Sequence, residues 1–220
     1  MVQTAVTQVI QSLADLEENF RVSRSANPDF FMEWRTNLPF LLELESETLN
    51  QVRDRFRYQR HQGPVAEGTV NAIVVSPLLG LAGFYDPPFH LRSEVSVALQ
   101  TTIQIEDSEG LLQPQILRGR MDFLVLQDYF WQAVIESKET TFDIEMGIPQ
   151  ILTYMMAAPT QQSTMFGMVT NGNHFVFIKL NRGRSAEYDF SDTFSLLPQS
   201  NRLYDVLQIL KRIGTIVLAS

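Results

Sequence analysis

The sequence predicts one mixed α/β (α+β) domain, with helices on both faces of a central mixed sheet. Three observations carry this. Apolar residues recur at helical spacing up to about residue 84, alternate in strand fashion over 91–106, and return to helical spacing from 143. Asn171-Gly172 stands between two apolar, β-branched runs, a strong hairpin signal. The composition, 220 residues with 45% hydrophobic and 19% charged, suffices for a sizeable core and is too apolar for a disordered chain. Residues 1–62 read as an N-terminal helical extension and 63–220 as a single globular unit.

In order, Val2, Val6, Val9, Ile10, Leu13 and Leu16 predict a short amphipathic helix over 1–20. Asn27-Pro28-Asp29 reads as the start of a helix over 27–62, broken near Pro39. Its end holds Arg53, Arg55, Arg57, Arg60 and His61, which suit either a solvated helix C-terminus or a phosphate-contacting patch. After Gly63-Pro64 comes a further helix, with a kink or restart at Pro77. Strands follow over 91–106, 120–127 and 131–137, the last nearly all apolar and so central. Asp143 is a candidate N-cap for a helix over 143–158. Strands over 165–170 and 174–180, a loop or short strand over 190–198 and a helix over 201–218 complete the chain.

The charge balance, 17 Lys+Arg against 25 Asp+Glu for a net −8, excludes a uniformly basic nucleic-acid binder. With no cysteine there is neither a disulfide nor a thiolate site, and His61, His90 and His174 are too far apart in sequence for a local histidine metal motif. The N-terminus lacks the basic start and apolar core of a secretory signal, and no run reaches the roughly 18 apolar residues of a membrane span. A cytoplasmic location with no membrane partner is the expectation.

Chemistry concentrates at the ends of two adjacent strands. Glu136 and Lys138, two apart at the end of one strand, project together, and a hairpin brings Asp122 beside them. Two carboxylates and an ammonium at one sheet edge suit a Mg²⁺ ion and a water-directed attack on phosphate. The same residues also suit a plain ion pair closing a buried strand. Gln150 and Tyr154 lie i, i+4 on one face of the next helix, either facing that edge or packing on the sheet. Glu67 opens a preceding helix. Arg118, Arg120, Arg182 and Arg184 are further candidates for phosphate contact.

Five elements stand in a particular order: Glu67 before Pro77-Leu78-Leu79-Gly80; Gly119-Arg120-Met121-Asp122; Ile135-Glu136-Ser137-Lys138; Gln150 and Tyr154; and Thr170-Asn171-Gly172. From about Val65 to Leu180 the chain thereby resembles the PD-(D/E)xK nuclease superfamily. It is similar in particular to the N-terminal nuclease domain of type I restriction enzyme R (motor) subunits, and in its Gln-x-x-x-Tyr to RecB-family nucleases. The resemblance implies a restriction-endonuclease-like fold and a Mg²⁺-dependent endodeoxyribonuclease, with Mn²⁺ as a substitute ion. It further implies that Asp122, Glu136 and the Ser137 carbonyl hold the metal, that Lys138 positions water, and that Glu67 touches the ion through water or binds a second one. Gln150 and Tyr154 would hold DNA or order the site. Met121 replaces the usual proline, Ser137 replaces a small apolar residue, and Pro149 adjoins Gln150. No Gly-x-x-x-x-Gly-Lys-[Ser/Thr] phosphate loop occurs, so the chain carries no helicase motor of that type. The implied partners are DNA, a second copy of the chain or accessory restriction subunits. The alternative is a catalytically inactive nuclease-fold module that binds DNA or protein in a restriction, repair or recombination system.

Overall fold

The computed structural model describes residues 2–106, 112–128 and 130–217; the polar loop expected over 107–110 lies outside them. Among the described residues, nine strands form one mixed sheet. The strands are β1 (Val2–Ala5), β2 (Val22–Arg24), β3 (Phe89–Glu106), β4 (Leu112–Gln127), β5 (Phe130–Ser137), β6 (Thr164–Thr170), β7 (His174–Arg182), β8 (Ala186–Phe190) and β9 (Phe194–Ser195). Their order is β1-β4-β5-β6-β7-β8-β2, with β3 also on β4 and β9 on β7. Three pairings are parallel (β1 with β4, β5 with β6, β2 with β8) and the others antiparallel. The helices are α1 (Val6–Val9), α2 (Leu13–Phe20), α3 (Glu43–His61), α4 (Glu67–Val70), α5 (Ser76–Leu81), α6 (Ile148–Met156) and α7 (Leu203–Val217).

Alternation along the strands divides the core in two. Ala133 and Ile135 of β5 and Phe166 and Met168 of β6 face one cluster, built with α3, α4, α5 and α7. Val134, Met165 and Val169 face the other, built with α1, α2 and α6. The mixed α/β class with helices on both faces is therefore the class observed. Each face is covered because the central strands carry apolar side chains on both sides.

Two sequence expectations within 1–62 fail. The stretch over 1–20 is not one helix. Residues 2–5 are a strand on β4, and Ser12 starts a separate helix α2 through a capping box with Asp15. Helical spacing hid a strand because Val2 and Val6 satisfy both periods. Residues 27–42 form turns, and the helix starts only at Glu43, where Glu45 reaches back to the Leu42 N–H at 2.8 Å. Pro28 and Pro39 deny the backbone donors that an earlier helix would use. Downstream, Pro77 has the effect expected of it. Asn71–Val75 between α4 and α5 widens into a π-turn, which accommodates a residue with no N–H to give.

The 170–174 turn ties the sheet to the first cluster. Gly172 has φ +80, and a Cβ there would lie 2.6 Å from Phe56 Cζ. Gly172→Ala should therefore destabilise the fold by about 1–3 kcal/mol. Urea unfolding measures this, and a loss under about 0.5 kcal/mol contradicts the packing described.

Candidate active site

β5 runs through the middle of the sheet and ends at the site. Val134 points into the cluster beneath α6, so Glu136, two residues on, faces α6 as well. Its side chain is 1% exposed. One carboxylate oxygen, Oε1, accepts from Lys138 Nζ at 2.5 Å and from Gln150 Nε2 at 2.7 Å. The other, Oε2, is buried with no hydrogen-bond partner. Burial, then the Asp122 carboxylate, pushes Glu136 up to about 8, against the opposing pull of Lys138.

Asp122 arrives from β4, one step beyond the Phe123–Ile135 pair and so opposite Glu136. Its Oδ2 accepts from both the Ser137 N–H and the Ser137 Oγ, each at 2.7 Å. The β-strand alternation turns over at this point. Leu117 and Met121 pack in the α6-side cluster, whereas Phe123 and Val125 pack on the opposite side. On β3, Glu94 (φ +53) lies between the Ser93–Phe123 and Val95–Met121 pairs, opposite Asp122. This is the left-handed conformation that non-glycine residues rarely adopt. The bend that re-aims Asp122 involves both strands of the hairpin.

Lys138 lies just past β5 and is held by its N–H to the Thr170 carbonyl at 2.8 Å, continuing the parallel pairing with β6. Its ammonium also lies 5.8 Å from the Phe142 ring centroid. Burial alone would lower Lys138, but the Glu136 carboxylate and Asp122 outweigh it and the net shift is upward. Lys138 is therefore a cation at neutral pH.

Gln150 and Tyr154 share one face of α6, as their spacing requires, and Gln150 Nε2 also donates to the Tyr154 hydroxyl at 2.7 Å. The Tyr154 phenol is shifted upward by burial and by Glu136, while a bond from the Arg120 backbone N–H opposes this. The ring lies on Gly119, where a Cβ would come within 2.4 Å of Tyr154 Cε1. Glycine here permits close approach of strand and helix. The glycine of the Gly-Arg-x-Asp stretch was its only signal in the sequence. Pro149 occupies the first turn of α6, where it costs no hydrogen bond, and leaves Gln150 in place.

Glu67 is the first residue of α4 and is exposed. Desolvation, followed by the Asp122 carboxylate, shifts it upward, and Lys138 and Arg120 oppose the shift. It thus stands within electrostatic reach of the site. Arg120 is exposed beside it, 3.7 Å from Glu94. The other arginines do not converge here. The Arg182 guanidinium is bound to the carbonyls of Met156, Ala158, Pro159 and Gln162, closing the C-terminal end of α6. Its expected phosphate contact is therefore replaced by a structural one. Arg118 and Arg184 are exposed on β4 and in the β7–β8 turn, and share no hydrogen bond with the site among the described residues. The basic run of α3 also divides. Arg53 and Arg57 hold the 196–199 segment, and Arg55 is exposed on another side of the helix.

A divalent cation fits this donor set. The donors are hard oxygens, and the unpartnered Oε2 of buried Glu136 is the kind of atom that a metal satisfies. Among the described residues no group of three or more His, Cys, Asp or Glu side chains gathers to hold a metal. Asp122 and Glu136 are the two carboxylates that would hold such an ion, with waters completing its shell.

No protein-family model matches the chain, and no curated protein matches it in sequence. Among solved structures, it is similar to a fragment assigned to an HsdR subunit of a type I restriction enzyme from Vibrio vulnificus YJ016, with a TM-score of 0.40 and 18% identity. The match covers 64% of this chain and 26% of that one. No helix among the described residues is long and apolar enough to cross a membrane.

The raised Glu136 and Glu67 carboxyls set a pH dependence. The folded metal-free protein binds these protons more tightly than the unfolded chain does, so the stability that Glu136 contributes is complete below about pH 4.5 and is lost as pH rises to about 8, and Glu67 acts in the same direction. Glu136→Gln should flatten most of that slope, leaving a small remainder from Glu67. Chemical denaturation in chelator at a series of pH values tests this. An unchanged slope in Glu136→Gln contradicts the assignment.

Proposed function

We propose that this chain is a metal-dependent endonuclease domain that hydrolyses DNA phosphodiesters, akin to the nuclease part of a type I restriction R subunit. The observation that carries the reading is the buried Glu136 carboxylate, with one oxygen fixed by Lys138 and Gln150 and the other unmade. The five-element resemblance supports DNA as the substrate.

In this reading Asp122, Glu136 and the Ser137 carbonyl hold Mg²⁺ or Mn²⁺. When bound, the ion would lower the pKa of a water and act as a Lewis acid on the phosphate. Ser137 holds Asp122 through Oδ2 and leaves Oδ1 for the ion. Gln150, braced by Tyr154, fixes the rotamer of Glu136. Lys138 orients the attacking water and stabilises the charge that develops on the phosphate. Its upward shift suits this role and disqualifies it as a proton acceptor at neutral pH. Glu67 acts at the outer edge of the site, through water.

Two observations favour a second reading, a nuclease fold used without catalysis. Lys138 and Glu136 close on each other at 2.5 Å, and the side chains form no three-ligand cluster among the described residues. Metal binding decides between the two.

Calorimetry should show Mn²⁺ binding that Asp122→Ala removes. Purified protein with Mg²⁺ or Mn²⁺ should nick plasmid DNA, and Lys138→Ala, folded and still able to bind metal, should lose at least about 100-fold in rate. DNA binding without any Mn²⁺ site would favour the non-catalytic module.

A further inference from the structure

The last turn of α3 forms one wall of a cleft of about 330 Å³. Arg57, Arg60 and His61 line it from the helix, Asn173 lines it from the β6–β7 turn, and Phe56 and Leu196 lie among them. No carboxylate is among its lining residues, in a chain of net charge −8. Such segregation of charge marks a surface that meets an anion.

The two arginines are held in place. Arg57 Nη2 donates to the Leu196 and Pro198 carbonyls at 2.9 and 2.6 Å, and Arg60 Nη1 donates to the Gly63 carbonyl at 3.1 Å. Each bond occupies one nitrogen and leaves the remainder of a planar guanidinium for a ligand, the geometry that suits phosphate oxygens. Asn173 is tied through its backbone N–H to Asn171 Oδ1 at 3.1 Å. Binding an anion here orders few side chains, so little affinity is lost to entropy.

The cleft and the candidate active site share one turn of chain. Thr170 pairs with Ser137 and accepts from the Lys138 N–H, and three residues on, Asn173 lines the cleft. Three residues span at most about 11 Å. A nucleic-acid strand carries a phosphate for about every 3.4 Å of rise, so Asn173 lies within roughly three nucleotides' rise of the Lys138–Thr170 bond.

We infer that this cleft is a phosphate subsite that grips the DNA backbone beside the site of cleavage. The inference rests on the nuclease reading for its ligand but on separate residues for its geometry. Arg60 and His61 provide the contacts; Arg57, which also holds the 196–198 segment, frames them.

The test is fluorescence anisotropy of a short labelled DNA duplex with the full chain, in chelator, across a potassium chloride series. The Arg60→Gln/His61→Gln variant should bind several-fold more weakly at low salt. Its slope of log affinity against log salt should fall by about one, while Arg60→Lys keeps the slope. Arg24→Gln, on β2, serves as a control and should bind as the parent does. Parent-like affinity and slope in Arg60→Gln/His61→Gln overturn the subsite, as does a parent protein that binds no duplex even at low salt. Mn²⁺ calorimetry on the same proteins separates the two ideas. A protein without a Mn²⁺ site whose salt slope still depends on Arg60 retains the subsite and loses the nuclease reading.

Discussion

Glu136 is a carboxylate placed where the fold can satisfy only half of it. β5 is central in the sheet, and the alternation that buries Val134 also drives Glu136 beneath α6, away from water. Lys138 and Gln150 satisfy Oε1, and nothing satisfies Oε2. A buried acid in that state is costly to ionise, which is why it is pushed up to about 8. Much of the surrounding structure serves this group. Tyr154 braces Gln150, Gly119 makes room for Tyr154, and the bend at Glu94 turns Asp122 toward the end of β5. A divalent cation would convert the unfavourable carboxylate into a ligand, and stability would be exchanged for binding at one atom.

The overall charge and the local charge have different consequences. The excess of acid on the chain does not describe the edge where β5 and β6 end. Lys138 and Arg120 stand at the candidate active site and Arg57, Arg60 and His61 line the cleft at the end of α3, while several other arginines hold loops together. Arg182 closes four carbonyls at the end of α6, and Arg53 reaches the Gln199 carbonyl. Counting basic residues overstates what is free to meet an anion. Their hydrogen bonds show which guanidinium groups are left over.

Much of the site was legible in the sequence because its geometry follows from local rules. The two-residue repeat of a strand puts Glu136 and Lys138 on one side, and the i, i+4 spacing puts Gln150 and Tyr154 on one side of α6. The hairpin brings Asp122 alongside. The reversal of facing between Met121 and Phe123 was not legible, since it accompanies a left-handed Glu94 on the neighbouring strand that no pattern within β4 announces. β1 was missed for a similar reason. Val2 and Val6 fit a helical and a strand period alike, and residues 2–5 become a strand where they pair with β4. The fate of Arg182 depends on carbonyls 20 to 26 residues away, and no local pattern announces that.

The central claim is that Glu136 Oε2 is a metal ligand in waiting. A crystal grown with Mn²⁺ and measured at the manganese edge tests it directly. The account predicts an anomalous peak in contact with Glu136 Oε2 and the Asp122 carboxylate. A structure at saturating Mn²⁺ with no peak there, and with the Lys138–Glu136 pair intact around an unpartnered Oε2, would contradict it.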